Sequence, residues 1–226
     1  DATNVVKRPA LTVITPVSMD HAEKLGSTIA KIAGEKAGIL KRGVTCIVAQ
    51  QADEAMDVIR ETADRVGAKL IVWGQDFDAF EQNGRLVVQT ETHVLDLPLP
   101  ALVGRHQIVN AGTAVAAALQ LGELRQNEGA IERGLVTAKW PARMQRLDSG
   151  PLPELLGRNS ELWLDGGHNP SAGIALAQTL ADLDDRSPKP VYLICGMMGL
   201  KDAAGFLSPF RGLVRHIVTV PIPGAH

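Results

Sequence analysis

Short apolar, β-branched runs alternate along the chain with longer stretches of helical period. Residues 11–14 (Leu-Thr-Val-Ile) form such a run, closed by Thr15-Pro16, and after Asp20 the apolar positions Leu25, Ile29, Ile32 and Ala33 fall at helical spacing. This predicts a strand feeding a helix that ends near Gly38, with Lys41-Arg42-Gly43 as basic last turn and glycine stop. Residues 44–49 predict a second strand, 52–66 a helix with Ala55, Met56, Ile59, Ala63 and Val66 on one face, and 70–73 a third buried strand. A β-α-β-α-β order predicts parallel strands with crossover helices.

The pattern changes after Phe77. Glu81-Gln82-Asn83-Gly84 punctuates two alternating stretches, 85–88 and 93–97, which predict an antiparallel hairpin. Residues 105–124 and 128–137 read as helices, and Trp140-Pro141 closes the first region. A second region carries strand signals at 162–164, 191–194 and 217–220, with helices at 172–183 and 203–214 between them. The predicted division is 1–145 and 146–226, two α/β units without internal repeats or low-complexity tracts.

At 226 residues the chain holds one large domain or two small ones, and its 45% apolar and 21% charged residues exclude collagen-like, disordered and coiled-coil classes. Twenty-three basic against 25 acidic residues leave a net charge of −2, with no broad basic footprint for nucleic acid. No apolar run is long enough for a membrane span, and no signal-peptide pattern opens the chain. Cys46 and Cys195, far apart in apolar runs, are expected as buried thiols in a reducing compartment, so the expected location is the cytoplasm. A start at Asp1 without Met, and a stop just after a strand-like run, lead us to expect a chain cut at both ends.

Several constellations are placed for chemistry. Ser18-Met19-Asp20-His21 joins a strand end to a helix start, where α/β sheets bind ligands, although taken alone it reads more simply as an Asp N-cap with a solvent-facing His. Lys36 lies late in the same helix between Gly34 and Gly38. It either offsets the helix dipole or meets a ligand that the glycines admit. Asn110 on the Ala-rich helix is either exposed or hydrogen-bonded to something specific, and Arg143 at the domain junction either reaches a phosphate or pairs with an acid. In Leu164-Asp165-Gly166-Gly167-His168-Asn169-Pro170 a strand turns through glycines into a helix with Asn as N-cap and Pro at N1, a geometry that presents N–H groups to an anion. The alternative is a tight turn whose Asp165 and His168 cap each other. Cys195-Gly196-Met197-Met198 to Lys201-Asp202 repeats the arrangement more weakly. Neither GxGxxG nor GxxxxGK[ST] describes these turns.

Taken in order, Asp1-Ala2-Thr3-Asn4, the 14–21 stretch, Gly34-Glu35-Lys36-Ala37-Gly38-Ile39, Trp140-Pro141-Ala142-Arg143, Asp165 to Pro170 and Gly196 to Asp202 resemble folylpolyglutamate synthase/dihydrofolate synthase, of the Mur ligase superfamily. The resemblance runs over essentially the whole chain. It implies the C-terminal part of a P-loop-type central domain followed by the start of a Rossmann-like C-terminal domain. It also implies a monomeric ATP-dependent ligase that adds L-glutamate to dihydropteroate or a reduced folate through an acyl phosphate, with Mg²⁺ as metal. By motif match, His21 is the magnesium histidine, and Lys36 is the lysine that the family carries as a carbamate. Partial burial of that lysine would favour the neutral amine that captures CO₂. Asn110, Arg143 and Asp165 match ATP contacts, His168 lies near the reacting phosphate, and Asp1 and Ala2 match the tail of the pterin-binding motif.

Two positions depart from the family pattern. Ala142 replaces the usual Gly and Gly167 stands where Ala is common, and both are expected to leave the backbone unchanged because both residues are small. The family's phosphate loop does not occur in these residues, so the chain alone is expected not to turn over ATP. The rival readings are a peptidoglycan-precursor ligase of the same superfamily and a non-catalytic nucleotide-binding module of the same fold.

Overall fold

A computed structural model describes residues 4–20, 25–122, 127–157 and 159–223. It divides into two units, the first formed by Asp1–Ala101 with His106–Ala138 and the second by Leu102–Arg105 with Lys139–His226.

In the first unit, β1 (Thr12–Ile14), β2 (Thr45–Val48) and β3 (Lys69–Val72) form a parallel sheet in the order β1-β2-β3. The crossovers carry α1 (Ile29–Ala37) and α2 (Asp53–Val66). Alternation along β2 sends Cys46 and Val48 into a core with Ile14, Leu40, Met56 and Ile59, while Ile47 packs the other face against Phe77 and Ala116. Both faces of this sheet are therefore covered, as parallel sheets require. The α2 helix follows the sequence closely. It opens on Asp53 and Glu54, and it stops at Gly67, whose φ of 77° is the left-handed conformation that glycine adopts without strain.

Residues 21–24, where the first helix is predicted to begin, lie outside the described residues, Leu25 is helical, and α1 proper runs from Ile29. Gly26 has φ 109°, and the N-cap is Thr28, whose side chain accepts from the Lys31 N–H. Its end at Gly38 matches the sequence, but the last-turn cation is Lys36, while Gly43 turns the chain separately at φ 71°.

The hairpin is a three-stranded antiparallel sheet. β4 (Phe77–Gln82), β5 (Arg85–Thr90) and β6 (Val94–Pro98) pair in order, and Asn83-Gly84 makes the first turn with φ 52° and 74°. Its buried side chains Ala79, Leu86, Val88 and Leu97 meet Ala111 and Val115 of α3 (Arg105–Ala118) and Ile131 and Leu135 of α4 (Glu128–Thr137).

The second unit contains β7 (Gln145–Leu147), antiparallel to β8 (Leu162–Leu164), a short α5 (Pro151–Glu154), and α6 (Pro170–Arg186). β9 (Val191–Cys195) pairs in parallel with β10 (Val214–Thr219). The helix predicted for 203–214 is broken: α7 covers Ala203–Leu207, and a 3₁₀ turn, Ser208–Phe210, takes over at Pro209. Proline has no N–H to continue an α-helix, and Gly212 at φ 84° turns the chain into β10. The core here is Met144, Leu176, Ala177, Phe206 and Phe210.

Cys46 is buried and Cys195 only partly so, and the expectation of two buried thiols holds for the first alone. Burial pushes both thiols up from their ordinary pKa. Among the described residues, no helix is long and apolar enough to cross a membrane.

Candidate functional site

The first unit has a cavity of about 310 Å³ at the carboxyl end of β1. The chain leaving the strand supplies Thr15, Pro16, Ser18 and Asp20 to its wall, and α1 contributes Lys36. Two stretches distant in sequence thus meet where a parallel sheet presents its ligand-binding edge. Lys36 is exposed, because it occupies the outer side of the last turn of α1 while Ile32 and Ala33 face the core, so it lacks the partial burial that would favour the neutral amine. The glycines flanking Lys36 differ in role. A side chain at Gly34 would meet only Val58 at 3.9 Å, an ordinary contact, so no close approach explains it. The Gly38 carbonyl accepts a 2.9 Å hydrogen bond from Asn4 Nδ2, which ties Asn4 to the helix end that carries Lys36. Nothing in the hydrophobic pattern signals that contact. Asp1, Ala2 and His21 lie outside the described residues.

The oxygen donors on the wall, Ser18 and Asp20, suit a hard cation. Among the described residues, no three His, Cys, Asp or Glu side chains cluster as a metal-binding group.

In the second unit, Arg143, Asp165 and His168 come together at the turn between β8 and α6. Both carboxylate oxygens of Asp165 are engaged by backbone: Oδ2 accepts from the Met144 N–H at 2.7 Å and Oδ1 from the Gly167 N–H at 2.6 Å. The Gly166 N–H in turn donates to Ala142 O at 2.9 Å. The Pro141-to-Met144 turn and the Asp165-to-Gly167 turn are thereby laced into one substructure. Arg143 is exposed, with Nη1 donating to Ala142 O at 3.0 Å, and a side chain at Gly166 would stand 3.0 Å from that nitrogen. Four of the five guanidinium N–H donors remain beyond that bond. His168 Nδ1 lies 2.8 Å from Gly166 O, and a carbonyl can only accept, so Nδ1 carries a proton. Asp165 spends its oxygens on backbone N–H groups rather than forming the simple Asp–His cap. Asn169 is the N-cap of α6, accepting from the Ala172 N–H at 2.8 Å, with Pro170 following as expected.

The two departures from the family pattern do change the backbone argument. Ala142 has φ 53°, a conformation costly for any residue with a Cβ, and glycine there would be free of that cost. At Gly167 an alanine Cβ would stand 3.0 Å from Leu176 Cδ1 and from Asp165 Oδ1. Glycine is the better fit at both sites, and this chain has it at one.

Asn110 lies in the first unit, on the exposed side of α3, and its Nδ2 donates to Oε1 of the buried Gln107 at 3.0 Å. At the weaker turn, Asp202 caps α7 by accepting from the Gly205 N–H at 2.8 Å.

No profile of a known protein family matches the chain. Individual relatives do. The folylpolyglutamate synthase of Lacticaseibacillus casei is 30% identical over 241 residues, covering 99% of this chain and 51% of the relative. The dihydrofolate synthase/folylpolyglutamate synthase of Bacillus subtilis is 32% identical over 230 residues, covering 97% and 49%, and that of Mycobacterium tuberculosis 33% over 235 residues, covering 96% and 45%. Among solved structures, a folylpolyglutamate synthase complex with AMPPCP and folate superposes with a TM-score of 0.82 at 27% identity, over 100% of this chain and 54% of the other. The Escherichia coli enzyme in complex with DHPP and ADP gives 0.78 at 30% identity, over 96% and 48%. The chain spans about half the length of the relatives that it matches.

Proposed function

Since the chain belongs to the folylpolyglutamate synthase/dihydrofolate synthase family, we propose that the protein it builds is an ATP-dependent amide ligase joining L-glutamate to dihydropteroate or a reduced folate, acting in the cytoplasm as a monomer. In such a reaction the pterin carboxylate attacks the γ-phosphorus of ATP, ADP leaves, and the glutamate amine displaces phosphate from the acyl phosphate to form the amide. Catalysis is then mostly positioning and charge neutralisation, because two anions must be brought together.

The observation that carries this reading is whole-chain similarity to synthases whose solved complexes hold an ATP analogue with folate, or DHPP with ADP. Two features of the chain support it. The cavity at the end of β1 offers Ser18, Asp20 and Lys36 at a strand edge suited to phosphates and a hard cation. The laced turn presents Arg143 and His168 on a rigid backbone frame, with Asp165 at its centre. In this reading Asn110, Arg143 and Asp165 contact ATP, His168 sits near the transferred phosphate, and Asp1 and Ala2 contact the pterin. His21 and the oxygen donors of the cavity wall would hold Mg²⁺, which when bound would supply charge screening between phosphate and carboxylate. Lys36 acts as a carbamate: its ammonium gives up one proton, and the neutral amine then adds to CO₂ with loss of a second, so that a cation becomes an oxygen-donor anion.

The test is glutamate ligation, run on the 226-residue chain and on the product of its coding region where that is longer. Each is incubated with Mg²⁺-ATP, radiolabelled L-glutamate and, separately, dihydropteroate or tetrahydrofolate. Transfer of label to either acceptor with matching ADP release is the expected result for the whole coding product. Absence of transfer to both acceptors overturns the reading.

A further inference from the structure

Gln51 lies just beyond β2, half-buried, in a position that the strand ladder no longer reaches. Backbone pairing between β1 and β2 ends with the Ala49 N–H donating to Ile14 O at 2.9 Å. Past that point the Gln51 side chain takes over: its Oε1 accepts the Val17 N–H at 2.9 Å, and its Nε2 donates to Thr15 O at 3.0 Å. One carboxamide thus makes a two-point pairing with the backbone on either side of Pro16, a residue that has no N–H of its own to offer a ladder. The clamped residues Thr15, Pro16 and Val17 are themselves cavity wall, and Ser18 and Asp20 follow directly.

We infer that Gln51 is a positioning residue, whose carboxamide fixes the path of the chain from β1 so that Ser18 and Asp20 face Lys36 across the cavity. Both bonds need an acceptor and a donor side by side on one side chain, which the glutamine carboxamide supplies at neutral pH. An ionised glutamate still accepts from Val17 but sets a second acceptor against Thr15 O, and methionine makes neither bond. The inference rests, for its functional consequence, on the ligase reading of this cavity. Its geometric content stands on the two hydrogen bonds.

The test compares wild type, Gln51→Glu and Gln51→Met in the same polypeptides used for the ligation assay. In Gln51→Met the Val17 amide is expected to exchange with solvent about tenfold faster than in wild type, while amides of β3 and α2 keep their rates. In Gln51→Glu the melting temperature is expected to approach that of wild type as pH falls and the carboxyl regains a proton to donate, whereas the Gln51→Met deficit stays independent of pH. For ligation, kcat is expected to fall about tenfold or more, because the displaced groups no longer hold the reacting end in line. Unchanged Val17 exchange in both variants, or normal kcat in Gln51→Met, overturns the inference. A wild-type protein without ligation but with the exchange and pH signatures intact sinks the ligase reading alone and leaves the clamp standing.

Discussion

Asp165 accepts the backbone N–H of Met144 at 2.7 Å across 21 residues of sequence, and Met144 itself has φ 41°. The carboxylate therefore holds in place a stretch of chain whose conformation is costly on its own, with Ala142 at φ 53° two residues earlier. Asp165→Ala removes two charge-assisted bonds to backbone and is expected to destabilise the second unit by about 2–3 kcal/mol, read by chemical denaturation. Arg143→Ala leaves an exposed site and a single backbone contact, so its expected stability change is within about 0.5 kcal/mol, while affinity for ADP falls about tenfold by calorimetry if Arg143 contacts phosphate. Equal loss of stability in the two variants would contradict this division of labour.

Ala142→Gly is expected to stabilise the protein. The alanine Cβ costs about 1 kcal/mol in the left-handed region, and the glycine that replaces it costs part of that back in unfolded-state entropy. The net expectation is a gain of a few tenths to 1 kcal/mol, or about 1–3 °C in Tm for a chain of this size. Ala142→Val is expected to go the other way, by about 2 kcal/mol, since a β-branched side chain tolerates this region least. A calorimetric scan in which the valine variant matches wild type would show that the turn relaxes out of the left-handed region.

Much of this architecture is legible from periodicity alone, and the failures have local causes. The β1–α1–β2–α2–β3 order, the Asn83-Gly84 turn and the Asn169-Pro170 helix start follow from apolar spacing and turn chemistry, which tertiary contacts reinforce. β4 escapes because Phe77-Asp78-Ala79-Phe80 offers only two inward side chains, one of them a small alanine, before polar residues take over. β7 escapes because Gln145-Arg146-Leu147 is a strand by virtue of its pairing with β8, not of its composition. At the candidate site, the residue types at Lys36, Arg143 and Asp165 mark chemistry in the sequence. The Asn4–Gly38 contact and the Asp165–Met144 bond join residues 34 and 21 positions apart through side chain to backbone, an interaction that no hydrophobic pattern encodes.

Two glycines within helices make opposite predictions. At Gly173 of α6 a Cβ would fall inside contact distance of the Phe206 backbone, so the helix lies on α7 at a separation that only glycine permits. Gly173→Ala must push the two helices apart within the Phe206–Phe210 core, at an expected cost of about 2–3 kcal/mol. Gly134 of α4 is exposed, with nothing within 4 Å of its would-be Cβ. There Gly134→Ala removes backbone entropy from the unfolded chain without a clash, and a gain of about 0.5–1 kcal/mol is expected. Urea denaturation of both variants checks the pair, and a stabilising Gly173→Ala would refute the close packing.

Arg105 and Asp182 give the protein an acid-sensitive fastening inside the second unit. The guanidinium donates to both carboxylate oxygens, at 2.8 and 2.6 Å, joining the segment Leu102–Arg105 to α6. The Arg105 hydrogen bond lowers the Asp182 pKa from its ordinary value, opposed by partial desolvation and assisted by Gln178. A carboxylate whose native pKa is depressed contributes stability that is complete above the unfolded-state value, near pH ~3.9, and is lost as pH falls through the lower native value. Arg105 is largely exposed, which limits the pair to the scale of surface ion pairs, about 0.5–1 kcal/mol. Asp182→Asn should therefore be less stable than wild type by about that amount at pH 7 and low salt. The gap should narrow in high salt and close below the native pKa of Asp182, where wild type has also lost its charge. Denaturant titrations of both proteins at pH 7 and in steps below about pH 4 measure it. A gap that persists unchanged into the acid range would mean that the Asp182→Asn substitution disrupts packing along α6 rather than an ion pair.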